Sequence, residues 1–267
     1  MLFACRDYRV VVKLSIMVND SSNLRELNEP IEIHDGIYWV GFHDEKTKLQ
    51  CNPYLIIDGE EAVLIDPGSV LHFPVVARKI FSLVKPEQIS HIVLQHEDPD
   101  ICGAMPLYVE MIGRPDLKVI CARPAYYFII HYDIKSPYYL SDANSNLLTL
   151  KSGRILRFVD APYLHTPGVI MTYDEKSKIL FSSDVFGSLE EPAEWRLFAD
   201  ENYPSRLSEL MESYMPSKEA VLYTLKKLDR MSIEMIASQH GSIIKSEPEV
   251  KKYIEICKNL NYGLYLK

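Results

Sequence analysis

The chain has 267 residues, 47% of them hydrophobic and 25% charged, so it can bury a core without disulfide or metal staples. Its formal net charge of −8 argues against a nucleic-acid binder, which presents a basic face. Cys5, Cys51, Cys102, Cys121 and Cys257 are scattered and lack C-x-x-C spacing, which argues against a disulfide framework or a cysteine-based zinc site and points to a reducing cytoplasm.

Residues 1–28 read as an extension, set off by the polar cluster at 19–23. Its apolar stretch, 10–18, is interrupted by Lys13 and Ser15 and falls far short of the roughly 20 residues a membrane helix needs. No small-residue cleavage site follows, so neither a membrane span nor a secretory signal is expected. Residues 29–267 read as one domain. From Ile31 the pattern turns strand-rich: the runs 36–42, 53–58 and 62–66 are short, apolar and bounded by Gly, Pro, Asp or Asn. Asp58-Gly59-Glu60-Glu61 is the turn between two of them. Residues 70–84 carry helical apolar spacing that stops before Pro86. A buried strand at 91–95, a helix at 103–112 and a strand at 118–122 follow. The second half mixes strands at 154–160, 168–173, 178–184 and 233–238 with helices at 204–215, 218–231 and 247–260. Strands in two sets, with helices for both, are what two sheets between helical layers require.

The chemistry sits at strand ends. QHEDPDICG places His96, Asp98 and Asp100 directly after a strand. Alternate side chains of an extended segment share a side, so His96 and Asp98 can converge on one metal, and the Pro99 bend can turn Asp100 toward a second. His165 lies in the Pro/Gly-rich APYLHTPG loop, Asp184 closes LFSSD, and His240 closes IASQH. Loops at strand ends are where a rigid scaffold displays functional groups. Each residue also has an ordinary reading: Asp98 or Asp100 as a helix cap, His165 as a hydrogen-bonded loop histidine, Asp184 as a turn residue, His240 as a loop or helix-end histidine. One metal site accounts for all of them more economically than separate explanations.

These segments, QHEDPDICGAM, APYLHTPG, LFSSDVFG and ASQHG, resemble the metallo-β-lactamase superfamily and, more narrowly, the diiron domain of flavodiiron proteins. The resemblance runs from about residue 29 to the end. It implies an α/β (α+β) fold of the αββα sandwich type, two non-haem iron ions, and a homodimer. Carried over residue by residue, His96, Asp98 and His165 hold one iron, Asp100 and His240 hold the second, and Asp184 bridges both. Asp66 in LIDPG is the expected support behind the ligands, with a simple strand-to-helix turn as its ordinary reading. Tyr214 falls where these proteins carry a tyrosine near the metals, which implies a hydrogen bond to a bound oxygen species; core packing is the other reading.

Three departures bear on function. Hydrolytic superfamily members carry His where Asp98 stands, and the flavodiiron residue there is the longer Glu; a carboxylate shifts preference from zinc toward iron or manganese. The flavodiiron motif continues with His where this chain has Ile101, which cannot ligate, so the second metal is expected to have an open position. The chain ends soon after His240, so no flavodoxin-like domain and no bound flavin are expected. Full reduction of dioxygen takes four electrons and a diferrous pair supplies two, so turnover would need an external donor. The sequence resembles an oxygen-binding diiron type associated with bacterial chemotaxis. The leading reading is therefore a diiron protein that binds or reduces dioxygen, or nitric oxide. It acts either as a sensor with a signalling partner or as a reductase served by an electron donor; whether it is an enzyme stays open, and an enzyme here would be an oxidoreductase. A metal-dependent hydrolase is the alternative, and an interaction module with an inert metal site is a third.

Overall fold

The computed structural model describes residues 26–264. The expected extension, with its apolar stretch at 10–18 and polar cluster at 19–23, lies outside the described residues up to position 25. Leu27 belongs to the core, and its carbonyl accepts a hydrogen bond from the buried Lys79 ammonium at 2.6 Å.

Two sheets form the centre. The first has seven strands in chain order: β1 (Ile31–His34), β2 (Ile37–Trp39), β3 (Tyr54–Asp58), β4 (Glu61–Ile65), β5 (Ile89–Val93), β6 (Lys118–Cys121) and β7 (Tyr138–Leu140). The β1–β4 meander is antiparallel, and β4 to β7 pair in parallel. The tight turn read at Asp58–Glu61 is present, with those two residues paired across β3 and β4. The second sheet has the order β13-β12-β11-β10-β9-β8. Its strands are β8 (Leu147–Thr149), β9 (Ile155–Asp160), β10 (Ile170–Asp174), β11 (Ile179–Phe181), β12 (Met235–Ala237) and β13 (Ile244–Lys245).

Alternation along the strands separates three apolar layers. Leu55, Ala62, Leu64 and Ile92 face outward and pack with Val76, Ala77 and Ile80 of α1 (Phe73–Leu83), Tyr108 of α3 (Met105–Ile112) and Ala125 of α4 (Arg123–Ile129). Their neighbours Tyr54, Ile56, Val63, Ile65 and Val93 face inward against Phe158, Ile170, Ile179 and Phe181 of the second sheet. On the far side Met171, Tyr173 and Leu180 meet Leu207 of α5 (Tyr203–Tyr214), Leu225 of α6 (Lys218–Leu228) and Tyr253 of α7 (Glu247–Asn259). The order is helix, sheet, sheet, helix, as expected of the sandwich.

Local chemistry starts the helices. Proline stands in the first two positions of α1, α3, α4, α5, α7 and the short α2 (Pro99–Cys102), where its missing N–H costs nothing. α6 instead uses Ser217, whose hydroxyl accepts from the Ala220 N–H at 3.2 Å. The expected helix at 103–112 is α3, which opens two residues later at Met105, and the separate short α2 at Pro99–Cys102 precedes it. Among the described residues no helix is long and apolar enough to cross a membrane.

Strand direction brings the site together. β9 and β11 both run antiparallel to β10, and β12 runs parallel to β11, so β9, β11 and β12 end on one edge of their sheet. Gln95, just past β5, ties the other sheet to that edge: its carbonyl accepts from Ile170 N–H at 2.8 Å and its side-chain oxygen from Thr172 N–H at 2.9 Å.

Candidate metal centre

Past Gln95 the chain leaves the sheet and delivers His96, Asp98 and Asp100 within one turn of α2. Asp98 occupies the N-cap position, yet its side chain makes no capping bond. Its Oδ2 lies 3.7 Å from His96 Nε2 and 3.4 Å from His165 Nε2. Asp98 is therefore turned away from the role a capping aspartate plays. Asp100 Oδ2 lies 3.3 Å from His240 Nε2.

Asp184 stands between the two groups. Its Oδ2 is 3.1 Å from His165 Nε2 and 3.8 Å from His96 Nε2, while its Oδ1 is 3.4 Å from His240 Nε2. One carboxylate thus offers a separate oxygen to each group. The potential ligand atoms of His96, Asp98 and His165 lie within 4.8 Å of one another, and so do those of Cys51, Asp100 and His240. The structure brings together all six residues singled out as ligands and adds Cys51.

The imidazoles are aimed by their other nitrogens. His96 Nδ1 is 2.8 Å from Ser183 Oγ, and His240 Nδ1 is 2.9 Å from the Gln50 carbonyl, a hydrogen bond that fixes Nδ1 of His240 as the donor. In both rings Nε2 faces the centre. Thr166 Oγ1 donates to Glu97 Oε2 at 3.1 Å, joining the His165 loop to the His96 loop. Non-glycine residues at positive φ gather here: Asp66 at 50°, Tyr163 at 64°, Ser183 at 55° and Phe186 at 68°. Such backbone persists where surrounding contacts over-determine it. Gly241, at φ 76° directly after His240, admits the Ser188 and Tyr203 side chains where a Cβ would stand.

Burial raises the Asp184 carboxyl, but His96, His240 and His165 outweigh it and hold the group far below the usual carboxylate range. Burial likewise opposes charge on His240, and Asp184 with Asp100 overcomes it and pushes the imidazole well up. His165 moves upward for the same reason: its burial cost is exceeded by the pull of Asp184 and Asp98. Histidines and acids that favour each other's charged forms this strongly are groups whose protons a cation can displace.

Among the buried side-chain atoms without a hydrogen-bond partner, two belong to this centre, His96 Nε2 and Asp184 Oδ1. Both point at the centre, where a metal would satisfy them, and an orphaned buried acceptor is otherwise costly. Nitrogen and oxygen donors on either side of a shared carboxylate fit two divalent cations.

The hydrogen bonds of the Asp66 carboxylate go to Gln95, not to a candidate ligand: both its oxygens accept, at 2.8 Å from the backbone N–H and 2.7 Å from the side-chain amide. Burial pushes its carboxyl up to about 7. Its support acts one residue upstream of His96, while Ser183 is the direct partner. Tyr214 is 45% exposed, with its ring centroid 6.2 Å from that of His165, at the margin of the first group. Ile101 is fully buried and belongs to none of the three apolar clusters. His43, His72 and His91 have partners elsewhere: the Pro192 carbonyl, Asp44 and Ser90. Ser183 could have been read from its place beside Asp184 in SSD; Cys51 and the Gln50 carbonyl carry no such signal.

Fold and site together define a metal-binding domain of the metallo-β-lactamase type. The family model described as "ODP family beta lactamase" matches residues 49–241, and the chain belongs to that family. Among curated relatives, flavo-diiron protein FprA2 of Clostridium acetobutylicum is 27% identical over 235 residues, covering 81% of this chain and 58% of its own length. A nitric oxide reductase of Moorella thermoacetica is 26% identical over 250 residues, covering 83% and 59%. The chain thus spans less than two thirds of the length of these relatives. A solved structure described as a peroxy diiron species of the chemotaxis sensor ODP superposes with a TM-score of 0.75 at 24% identity, covering 88% of this chain and 96% of that one.

Proposed function

We propose that this chain is a dinuclear non-haem iron protein that binds a diatomic gas, dioxygen first and nitric oxide second, and that it uses this site for sensing. The observation that carries the reading is the division of the Asp184 oxygens between two donor groups, one of which contains Asp98 where hydrolytic superfamily members place a histidine. A hard carboxylate there favours iron over zinc. His96, Asp98 and His165 would hold one ion, Asp100 and His240 the other, and Asp184 both. Two ferrous ions held there would supply a pair of electrons and coordination positions for a small ligand.

The chain's own groups set the conditions. Ser183 and Gln50 hold the two rings so that Nε2 faces the centre. The Asp98, His165 and Asp100 side chains are 34%, 20% and 28% exposed, so both groups have a side open to a small gas. Tyr214, whose ring centroid is 6.2 Å from that of His165, would be the phenol to donate a hydrogen bond to a ligand bound there. Joined to an external electron donor, such a centre turns over as a reductase; joined to a signalling protein, it reports occupancy. The superposition on a chemotaxis sensor, over 88% of this chain and 96% of that one, supports the second use.

The test is metal analysis of protein purified anaerobically from iron-replete cells, followed by exposure of the reduced form to each gas. Two irons per chain and a new long-wavelength absorption with dioxygen are expected. Stoichiometric zinc without iron, or an iron-loaded protein whose spectrum ignores both gases, would overturn the reading.

A further inference from the structure

We propose that Cys51 is a thiolate ligand of the metal ion held by Asp100 and His240. This rests on the dinuclear reading above.

Three independent observations place it there. The Sγ atom lies 3.9 Å from Asp100 Oδ2, and the ligand atoms of Cys51, Asp100 and His240 all fall within 4.8 Å of one another. Cys51 also forms an isolated antiparallel bridge with His240. Residues directly opposed in an antiparallel pair send their side chains to the same face, so the backbone itself delivers the thiol and the imidazole together. Lastly, Cys51 differs from the other described cysteines. Cys102, Cys121 and Cys257 each pack in an apolar cluster, as buried free cysteines ordinarily do, whereas Cys51 is only 8% exposed and belongs to no cluster.

The position is held firmly. Asn52 donates its N–H to the Gln239 carbonyl at 2.8 Å, and its side-chain amide donates to the carbonyls of Ser238 and Gly241. The Trp39 indole N–H donates to Asn52 Oδ1 at 2.8 Å. Gly41 leaves room for the Cys51 carbonyl, which would lie 2.6 Å from a Cβ at that position. The segment carrying Cys51 is thereby fastened to the loop carrying His240.

The chemistry is consistent. Ile101 offers the second ion nothing, and Cys51 brings that ion to the same number of protein donors as the first. On binding, the S–H bond breaks, its proton leaves to solvent, and a sulfur–metal bond forms. One thiolate and three carboxylates then balance two divalent cations without an added hydroxide. A soft donor on one side also makes the centre chemically unequal, with the second position more tolerant of zinc.

Cobalt(II) added anaerobically to the metal-free chain tests this without reference to gas chemistry. The wild-type protein is expected to bind two equivalents and to develop a near-ultraviolet thiolate-to-cobalt charge-transfer band. Cys51→Ser and Cys51→Ala should lose the band. They should weaken one equivalent on the order of 10- to 100-fold, the loss typical even of groups one step behind a ligand. Alkylation by iodoacetamide with peptide mapping gives a readout on the wild-type chain alone: Cys51 should be modified in the metal-free protein and protected once cobalt is bound. Two equivalents bound with no band, a band surviving both substitutions, or equal alkylation in both states would overturn the assignment and leave the dinuclear reading standing. Failure of the wild-type protein to bind cobalt at all would overturn both.

Discussion

The two halves of the centre share a carboxylate but are built in different ways. In the first, His96 is steered by a side chain, the Ser183 hydroxyl, and Asp98 and His165 reach in from separate loops with partial exposure. In the second, His240 is steered by a backbone carbonyl, that of Gln50, and faces Cys51 across a β-bridge. A side-chain anchor can be deleted by one substitution, whereas a backbone anchor belongs to the fold. The second half is thus preorganised by topology and the first by sequence.

The largest effect should come from removing what the halves share. Asp184→Ala is expected to lose both ions, measured by metal analysis of desalted protein; retention of both would show that the carboxylate is not shared. Next, His96→Ala and His240→Ala should each lose a single ion, from opposite halves, so the two single-ion proteins should differ in spectrum. Identical spectra would mean that the halves do not load independently. Ser183→Ala should weaken only the first ion, on the order of 10- to 100-fold, because the ring of His96 loses its orientation; titration with a competing chelator reads this, and an effect on the second ion instead would reverse the comparison.

The smallest effect concerns the scaffold behind the second half. Lys79 is fully buried, its Nζ donating to the Leu27 and Gly41 carbonyls, with the Trp39 ring centroid 4.3 Å away. Burial pushes its ammonium down to about 7, from an ordinary 10.5. A neutral amine still has two N–H groups for the two carbonyls. Below about 7 both folded and unfolded chains carry the proton. Between about 7 and 10.5 only the unfolded chain does, so the stability of the metal-free protein should rise with pH across that window. The slope is at most on the order of 1.4 kcal/mol per pH unit. Urea unfolding at several pH values measures it, and Lys79→Met should flatten the rise; a wild-type profile already flat there would show that Lys79 stays charged.

Most of the frame was legible because its strands are apolar runs with clear punctuation: the β3–β4 hairpin announces itself by Asp58-Gly59, and α1 by its spacing and Pro86. What escaped were pieces without a period of their own. β7 and β8 have three residues each, β13 has two, and α4 is a short aromatic-rich turn of chain after Cys121. Such segments take their form from the sheet edge or core they join. The same division holds at the site. His96, Asp98, Asp100, His165, Asp184 and His240 each follow a strand or fill a Pro/Gly loop, a local signal. Cys51 has no local signal, because only the folded chain carries residue 51 to residue 240.

That separation has a kinetic side. The hydrogen bond between His240 and Gln50 spans 190 positions. Pairings this distant in sequence slow folding, and in the unfolded chain residues 50 and 51 are not held near His240. The unfolded ensemble then has no comparable affinity for the ions, and their binding acts by mass action on the native state alone. If the ions bind as proposed, metal supply sets the population of the open chain, and metal-free protein is expected to be cleaved faster by an added protease than the loaded form.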